Sequence, residues 1–345
     1  MTSDRATSSG PVAIVGAGSW GTALAIHLGR RGAAARLWAR DADLAREIVR
    51  RGENPRYLPG VAIPARVTAT GDAATALRGA PIVVFAVPSQ YARATLGPLL
   101  AHLDEDAVIV SATKGMEPER GLRMSELLAE LAPSHPVSVL SGPSFAREVA
   151  LGRPAALVAA SRRLEVARST QRALAGPTLR IYTNADVLGV ELAGALKNVI
   201  AIAAGLSDSL ALGENARAAL VTRGLAEMAR LGVALGASAR TFAGLAGLGD
   251  LVLTATGSLS RNRALGLAVG QGQSLREAEA ATPMVAEGVR TVSAALRLAR
   301  EAGVPMPICA AVAAVLFEGL PVADALAGLL AREPRPEEEV DVSRA

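Results

Sequence analysis

Cysteine is nearly absent: Cys309 is the one thiol in 345 residues. That excludes an intramolecular disulfide framework and any zinc site built from cysteines. Histidine is almost as scarce, and His27, His102 and His135 show no ligand spacing. A metal-free, cytosolic protein is therefore the expectation. Aromatic residues make up only 3% of the chain, so a core must be built from Ala, Leu and Val. With 50% hydrophobic and 20% charged residues, the chain is globular rather than disordered. Two stretches lack charge, Gly10–Gly29 and Gly303–Phe317. The first carries several glycines with Ser19, Thr22 and His27, and the second is short and broken by Pro305 and Pro307. Both read as buried elements of a soluble fold, neither as a membrane span nor as a signal peptide. The net charge of +4 is scattered, with Arg30–Arg31, Arg50–Arg51 and Arg162–Arg163 the only doublets singled out. No basic face interleaved with aromatics emerges, which argues against nucleic acid. A weakly positive protein suits small anionic substrates, although charge alone does not establish one.

Lysine is the most informative scarcity. Of 36 Lys and Arg residues, only Lys114 and Lys197 are lysine. An ammonium differs from a guanidinium in being able to lose its proton inside a protein. Each lysine is either a chance survivor on the surface or a group whose proton transfer or tight anion contact arginine cannot replace.

Short apolar runs at 11–15, 34–39, 82–87, 107–110, 137–140 and 155–160 read as buried strands. Helical stretches lie between them, at Thr22–Arg31, Leu44–Arg51, Tyr91–Leu103 and Met124–Leu131. The alternation predicts an α/β fold with a doubly wound, Rossmann-type, mostly parallel sheet. From about residue 185 the texture becomes helical, with the nearly all-apolar Val187–Leu206 as a central buried helix and others at Ala216–Leu235, Val285–Glu301 and Cys309–Glu318. The expected division is 1–184, a dinucleotide-binding domain, and 185–345, a second, all-helical substrate domain. Residues 1–10 and 333–345 read as loose ends.

Gly16-Ala-Gly18-Ser19-Trp20-Gly21 is a G-x-G-x-x-G. It follows a strand and opens a helix, the context a dinucleotide fingerprint requires. Gly16 makes the tight turn, Gly18 admits the pyrophosphate to the backbone, and Gly21 lets helix pack on strand, so that the helix N-terminus meets the anion. Gly247-Leu-Gly249 and Gly270-Gln-Gly272 lack the third glycine and the preceding strand. The second strand ends in Arg40 where an NAD site favours an acid, and Asp41 follows directly. Arg40 could pair with a 2′-phosphate, which favours NADPH and leaves NADH open, or it is a solvated strand-end charge.

Lys197 and Asn198 interrupt an apolar helix, where a cation is rare unless paired or functional. Lys114 in Ser111-Ala-Thr-Lys114-Gly115 and Ser144 in Gly142-Pro143-Ser144 follow strands, at the edge where open α/β sheets bind ligands. Asp250, in a glycine-rich apolar stretch, is either an N-cap or the partner that orients Lys197. Ser260-Arg261-Asn262 is either the capped start of a surface helix or a phosphate-holding donor cluster.

Taken in order and spacing, Gly16–Gly21, Ser111–Gly115, Ser141–Ala146, Leu196–Ile200, Gly244–Leu253 and Ser260–Arg263 resemble the bacterial soluble NAD(P)-dependent sn-glycerol-3-phosphate dehydrogenases. The resemblance runs from Val12 to Leu330. It implies reversible reduction of dihydroxyacetone phosphate to sn-glycerol 3-phosphate, a phospholipid precursor, with Lys197 as the proton-transferring residue beside Asp250. It implies Lys114, Gly142, Ser144, Lys197, Asp250, Ser260, Arg261 and Asn262 around the substrate. Around the cofactor it adds Ser19, Trp20, Arg40, Tyr57, Lys114, Ala146, Arg261, Val285 and Glu287 to the glycines. It also implies a homodimer. Two rival readings stand beside it: a two-domain dehydrogenase acting on a β-hydroxy acid, and a non-catalytic dinucleotide sensor, which would have no use for Lys197, Asp250 and Arg261-Asn262.

Overall fold

The structure, a computed structural model, describes residues 10–281, 285–333 and 336–337. Most of the two loose ends expected from the sequence therefore lies outside the described residues. The chain divides into two units. One comprises residues up to Thr113 together with Met124–Val187; the other comprises Lys114–Arg123 and everything from Leu188 onward.

The first unit carries strands β1 (Val12–Val15), β2 (Ala35–Trp38), β3 (Glu53–Asn54), β4 (Leu58–Ala62), β5 (Val67–Thr70), β6 (Ile82–Phe85), β7 (Val108–Ser111), β8 (Val137–Ser141), β9 (Ala155–Ala160) and β10 (Leu179–Asn184). Eight of them form one sheet in the order β10-β9-β8-β7-β6-β1-β2-β5, while β3 and β4 make a separate hairpin. Every pairing in the large sheet is parallel except β8 with β9. Helices α1 (Ser19–Arg30), α2 (Ala42–Arg51), α3 (Ala73–Leu77), α4 (Ala92–Leu99), α5 (Met124–Leu131), α6 (Ala146–Ala150) and α7 (Leu164–Leu174) complete this unit. The sheet buries both faces, as a parallel sheet must. Ile14, Leu24, Leu37 and Leu157 belong to one apolar cluster, and Val15, Val83, Ile109 and Leu127 to another. The strand order departs in both directions from β1, with β2 on one side and β6 on the other, and such a switch point opens a crevice at the carboxyl ends.

The apolar runs mark six of these strands. The edge strands β5 and β10 escape that criterion because each has outward-facing polar residues: β10 alternates buried Leu179 and Ile181 with exposed Arg180 and Tyr182. Helix α1 begins at Ser19, three residues before the expected Thr22, because Gly18 already holds the extended conformation of an N-cap. The expected helix Tyr91–Leu103 is α-helical only over Ala92–Leu99, with tighter single turns at 89–91 and 100–102 and Pro98 inside. Proline has no amide hydrogen for the ladder.

The second unit is helical among the described residues: α8 (Val187–Ser209), α9 (Gly213–Ala234), α10 (Ala239–Phe242), α11 (Asp250–Thr256), α12 (Arg261–Gly270), α13 (Leu275–Ala280), α14 (Glu287–Glu301), α15 (Pro307–Glu318) and α16 (Val322–Leu330). Helix α8 is buried without a break from Gly189 to Leu206. It is long and apolar enough to cross a membrane, but 89% of its apolar window lies inside the protein. Glycines permit its crossing with α12. A Cβ on Gly205 would stand 2.0 Å from the Arg263 carbonyl oxygen, and one on Gly266 would stand 2.1 Å from that of Ile202. Backbone on both sides leaves nothing that can rotate away. Gly205→Ala should therefore destabilise the protein by about 1–3 kcal/mol, as forced overpacking does. The check is the chemical-denaturation midpoint; an unchanged midpoint would mean that the two helices separate freely.

Candidate active site

The glycine loop joins β1 to α1 in the first unit. Gly16 takes φ +110°, and a Cβ there would meet the Ala86 carbonyl oxygen at 2.7 Å. A Cβ on Gly21 would lie 1.9 Å from the Gly16 carbonyl oxygen. Gly18 differs: its Cβ position has nothing within 4 Å. Two glycines thus exist for internal packing, whereas the third faces open space at the start of a 12-residue helix. Helix α1 has no side-chain cap and no acid in its first turn, so its N-terminal amides are unopposed by anionic side chains of its own first turn. Three buried polar atoms nearby in sequence to strand ends have no hydrogen-bond partner: Trp20 Nε1 after β1, Ser89 Oγ after β6 and Ser141 Oγ at the end of β8. Buried donors and acceptors are rarely left unpaired. An open cradle at a helix N-terminus, with unpaired groups at strand ends, fits a dinucleotide.

The other first-unit candidates surround this loop or follow the strands. Ser19 is the first helical residue of α1. Arg40 is exposed just past β2, with its guanidinium 5.6 Å from the centre of the Tyr91 ring. Tyr57 is half-buried, and its amide donates to Asn54 Oδ1 over 3.1 Å. Gly142 follows β8 with φ +122°, and the Ser144 hydroxyl donates to its carbonyl over 2.9 Å. Ala146 opens the five-residue α6 and, like Trp20 and Ile63, packs against the buried cluster of Ala23, Ile26, Leu58, Val61 and Ala150.

The second unit gathers Lys114, Lys197 and Asp250. Lys197 is 6% exposed and Asp250 only 1%. Asp250 follows one wide π-helical turn over Leu245–Gly249, whose unusual pitch delivers the carboxylate to α8 at the start of α11. Lys197 Nζ donates to Asp250 Oδ1 over 2.9 Å and to Thr254 Oγ1 over 2.7 Å. The Thr254 hydroxyl passes its own hydrogen to the Asp250 carbonyl, 2.6 Å away. Lys114 Nζ takes the other carboxylate oxygen, Oδ2, at 2.8 Å. Of the two readings open for Asp250, the N-cap falls away, because its side chain is spent on the lysines.

Burial pushes the Lys197 ammonium down to about 8; the Asp250 charge opposes this and the Lys114 charge adds to it. Burial alone would raise the Asp250 carboxyl, but the charges of Lys114 and Lys197, with their hydrogen bonds, hold it below its ordinary value. The arrangement yields an amine that changes charge close to neutrality next to a carboxylate that does not.

Around this triad runs a chain of amides. Asn198 Nδ2 donates to the Lys114 carbonyl over 3.0 Å. Asn262 Nδ2 donates to Asn198 Oδ1 over 2.8 Å, and Asn262 Oδ1 accepts from the Gly288 amide at 3.0 Å. Asn262 is thus a buried bridge with one carboxamide hydrogen beyond these bonds. Ser260 caps α12 through Arg263 N at 3.2 Å. Arg261, the first residue of α12, opens to solvent from crowded surroundings: the enclosing protein lowers its pKa, and the Glu287 carboxylate raises it. Glu287 starts α14, and Val285 lies half-buried just before it.

Thr254 and the linking role of Asn198 carry no mark in the sequence, although the spacing of Asp250 and Thr254, four residues apart on one helix face, could have signalled the threonine. The placement of Lys114 with the helical unit also eludes a linear reading, which keeps it in the first domain. Its bonds to Asp250 and Asn198 account for it, together with the buried ion pair of Arg123 and Glu191 at 2.6 Å. Among the described residues no group of three His, Cys, Asp or Glu is placed to hold a metal ion.

A mostly parallel sheet with this glycine loop, and a titratable lysine held by a carboxylate, define a pyridine-nucleotide-dependent oxidoreductase. Comparison with known proteins narrows the class. Residues 11–167 match the N-terminal family profile of NAD-dependent glycerol-3-phosphate dehydrogenase, and residues 186–327 match the C-terminal one. The chain is 51% identical over 326 residues to the NAD(P)+ glycerol-3-phosphate dehydrogenase of Koribacter versatilis, covering 93% of this chain and 97% of that one. The enzyme of the same name from Moorella thermoacetica is 49% identical over 327 residues, covering 95% and 97%. The crystal structure of glycerol-3-phosphate dehydrogenase from Coxiella burnetii superposes with a TM-score of 0.90 at 41% identity, covering 94% and 99%. The chain belongs to the NAD-dependent glycerol-3-phosphate dehydrogenase family.

The glycine geometry generates a paired expectation. Gly21→Ala should lower the melting temperature and abolish nucleotide binding, because its methyl group would collide with the Gly16 backbone carbonyl. Gly18→Ala should keep the melting temperature and weaken NADPH binding alone. Thermal denaturation with isothermal titration of NADPH separates the two; equal behaviour of both variants would contradict the division of roles.

Proposed function

We propose that the chain catalyses the reversible NAD(P)H-dependent reduction of dihydroxyacetone phosphate to sn-glycerol 3-phosphate, with Lys197 as proton donor and acceptor. The observation that carries the assignment of Lys197 is its ammonium, buried and tuned to about 8, between Asp250 and Thr254. Bound NAD(P)H supplies the hydride to the carbonyl carbon. As the carbonyl oxygen gains charge, the Lys197 ammonium stabilises it and gives it a proton. In the oxidative direction the neutral amine takes the hydroxyl proton. Asp250 fixes the amine's position and opposes its deprotonation, while Thr254 accepts a second of its three hydrogens. Lys114 adds positive charge on the far oxygen of the same carboxylate.

Arg261, with the first amides of α12 and the remaining carboxamide hydrogen of Asn262, is proposed to hold the phosphate, which fixes the reacting carbon. Ser260, Gly142 and Ser144 complete the proposed substrate contacts. Gly16, Gly18, Ser19, Trp20, Gly21, Arg40, Tyr57, Lys114, Ala146, Arg261, Val285 and Glu287 are the proposed cofactor contacts, with NADPH favoured by Arg40. A homodimer acting in the cytoplasm, supplying the backbone of phospholipids, completes the proposal.

The direct test follows nicotinamide absorbance with dihydroxyacetone phosphate against 2- and 3-keto acids; turnover of a keto acid and not of the phosphate ester would refute the substrate. Lys197→Ala should cost at least the 10²–10⁴-fold of general acid–base catalysis, while isothermal titration still detects NADPH. Near-normal turnover would remove the lysine from the chemistry. The oxidative rate should rise as pH passes through about 8, where Lys197 becomes neutral, and the reductive rate should fall there. Asp250→Asn removes the charge that raises this pKa, so the inflection should move to lower pH. An inflection that stays put would show that the titrating group is elsewhere.

A further inference from the structure

The hairpin β3–β4 is fastened to the nucleotide loop by one buried side chain. Asn54 is fully buried. Its Nδ2 donates to the Ala17 carbonyl and to Thr22 Oγ1, both at 2.8 Å, and its Oδ1 accepts from the Tyr57 amide. Ala17 lies inside the glycine motif and Thr22 in the first turn of α1, so the turn 54–57 is held in fixed register with the phosphate cradle. That turn presents Arg56 to the corner between β2 and α2. There Arg56 Nη1 meets Asp41 Oδ2 at 3.0 Å. The other oxygen of Asp41, Oδ1, caps α2 by accepting from Asp43 N at 3.0 Å and Leu44 N at 3.2 Å.

This geometry bears on cofactor choice. In a nucleotide fold of this kind, a carboxylate at the end of the second strand takes the ribose 2′-hydroxyl and repels a 2′-phosphate. Arg40 occupies that place here, and Asp41, the N-cap of α2, is the carboxylate next to it in the chain; both its oxygens are engaged and its charge is matched by Arg56. Arg40 stands beside it over the Tyr91 ring. The corner thus pairs Asp41 with one guanidinium, Arg56, and leaves that of Arg40 over the Tyr91 ring with no carboxylate paired to it among the described residues.

We propose that Arg56, set in place by Asn54, is a specificity-determining residue: it withdraws Asp41 from the ribose and makes the corner between β2 and α2 a site for a 2′-phosphate. The inference rests on nucleotide binding by the glycine loop and deepens the preference proposed above. Arg56 acts by position and charge, not by touching the reacting atoms.

The test uses isothermal titration of the whole protein with adenosine 2′,5′-bisphosphate and with 5′-AMP, probes that carry no nicotinamide. The ratio of their dissociation constants reads the preference directly. Arg56→Ala should reduce the preference for the 2′-phosphate about tenfold, the scale of one charge-assisted hydrogen bond. Part of that shift should come from tighter binding of 5′-AMP to the released Asp41. The double variant Arg56→Ala with Asp41→Asn should lose the gain on 5′-AMP, and Arg56→Lys should retain most of the original ratio. A ratio unchanged in Arg56→Ala, or equal weakening of both probes, would reduce Arg56 to a tether of the hairpin and overturn the proposal. Absence of turnover on dihydroxyacetone phosphate, with the ratio still shifted, would instead overturn the assigned reaction.

Discussion

The Asp250 carboxylate is the constraint on which the helical unit turns. It is buried to 1% exposure and binds one lysine on each oxygen. A carboxylate so enclosed is costly unless its charge is met, and two ammonium groups more than meet it. The converse matters more. Without Asp250, two cations would face each other in a poorly solvated space, and the easiest relief would be loss of a proton from Lys197. The carboxylate thus holds both lysines in place and keeps the more buried one protonated up to about pH 8. A hydrophobic substitute of similar volume could stabilise the fold as well, because buried ion pairs are poor sources of stability. It could not hold a proton at a chosen pH.

The surrounding bonds protect that geometry. Glu191 and Asn198 stand seven residues apart on α8, two turns along one face, or about 10 Å. Glu191 takes Arg123 and Asn198 takes the Lys114 carbonyl, so both ends of the excursion Lys114–Arg123 are fixed to the same helix that bears Lys197. Asn198 continues through Asn262 to the amide of Gly288, tying α12 and α14 into the same set. One rigid helix therefore sets the spacing between both amines and the proposed phosphate-holding turn. The glycines at the crossing of α8 and α12 serve the same end, since any side chain there would push the two helices apart.

Much of this is legible in the sequence, and for physical reasons. A glycine motif is legible because the backbone path excludes every other residue: Gly16 and Gly21 have no room for a methyl group. Lys197 is legible because arginine replaces lysine nearly everywhere else, and because a cation in an apolar helix demands a partner. The buried strands are legible because both their faces are apolar. What stays hidden depends on contacts between distant segments. Asn54 looks like an ordinary turn residue before a proline, yet it secures the nucleotide loop. Thr254 is an unremarkable threonine in an apolar helix until Lys197 is placed against it. Lys114 follows a strand of the sheet, and nothing along the chain says that it groups with the helices. Edge strands β5 and β10 present one face to water and leave no continuous apolar run.

Charge matching recurs in each of the two units. In the helical unit Lys114, Lys197 and Arg261 stand against Asp250 and Glu287, and in the sheet unit Arg56 stands against Asp41 while the neighbouring Arg40 lies over Tyr91. Each set keeps one cation in excess while every carboxylate has a cationic neighbour. A site with bare cations would bind any anion strongly, and one with bare carboxylates would reject phosphate. A single surplus charge, surrounded by donors of fixed direction, favours a phosphate that also satisfies those donors. In the helical unit the surplus is also titratable: above about pH 8 Lys197 becomes neutral and the excess vanishes. On the proposed mechanism the proton available for chemistry is the same charge that helps to hold the substrate, so the two functions cannot be tuned independently there.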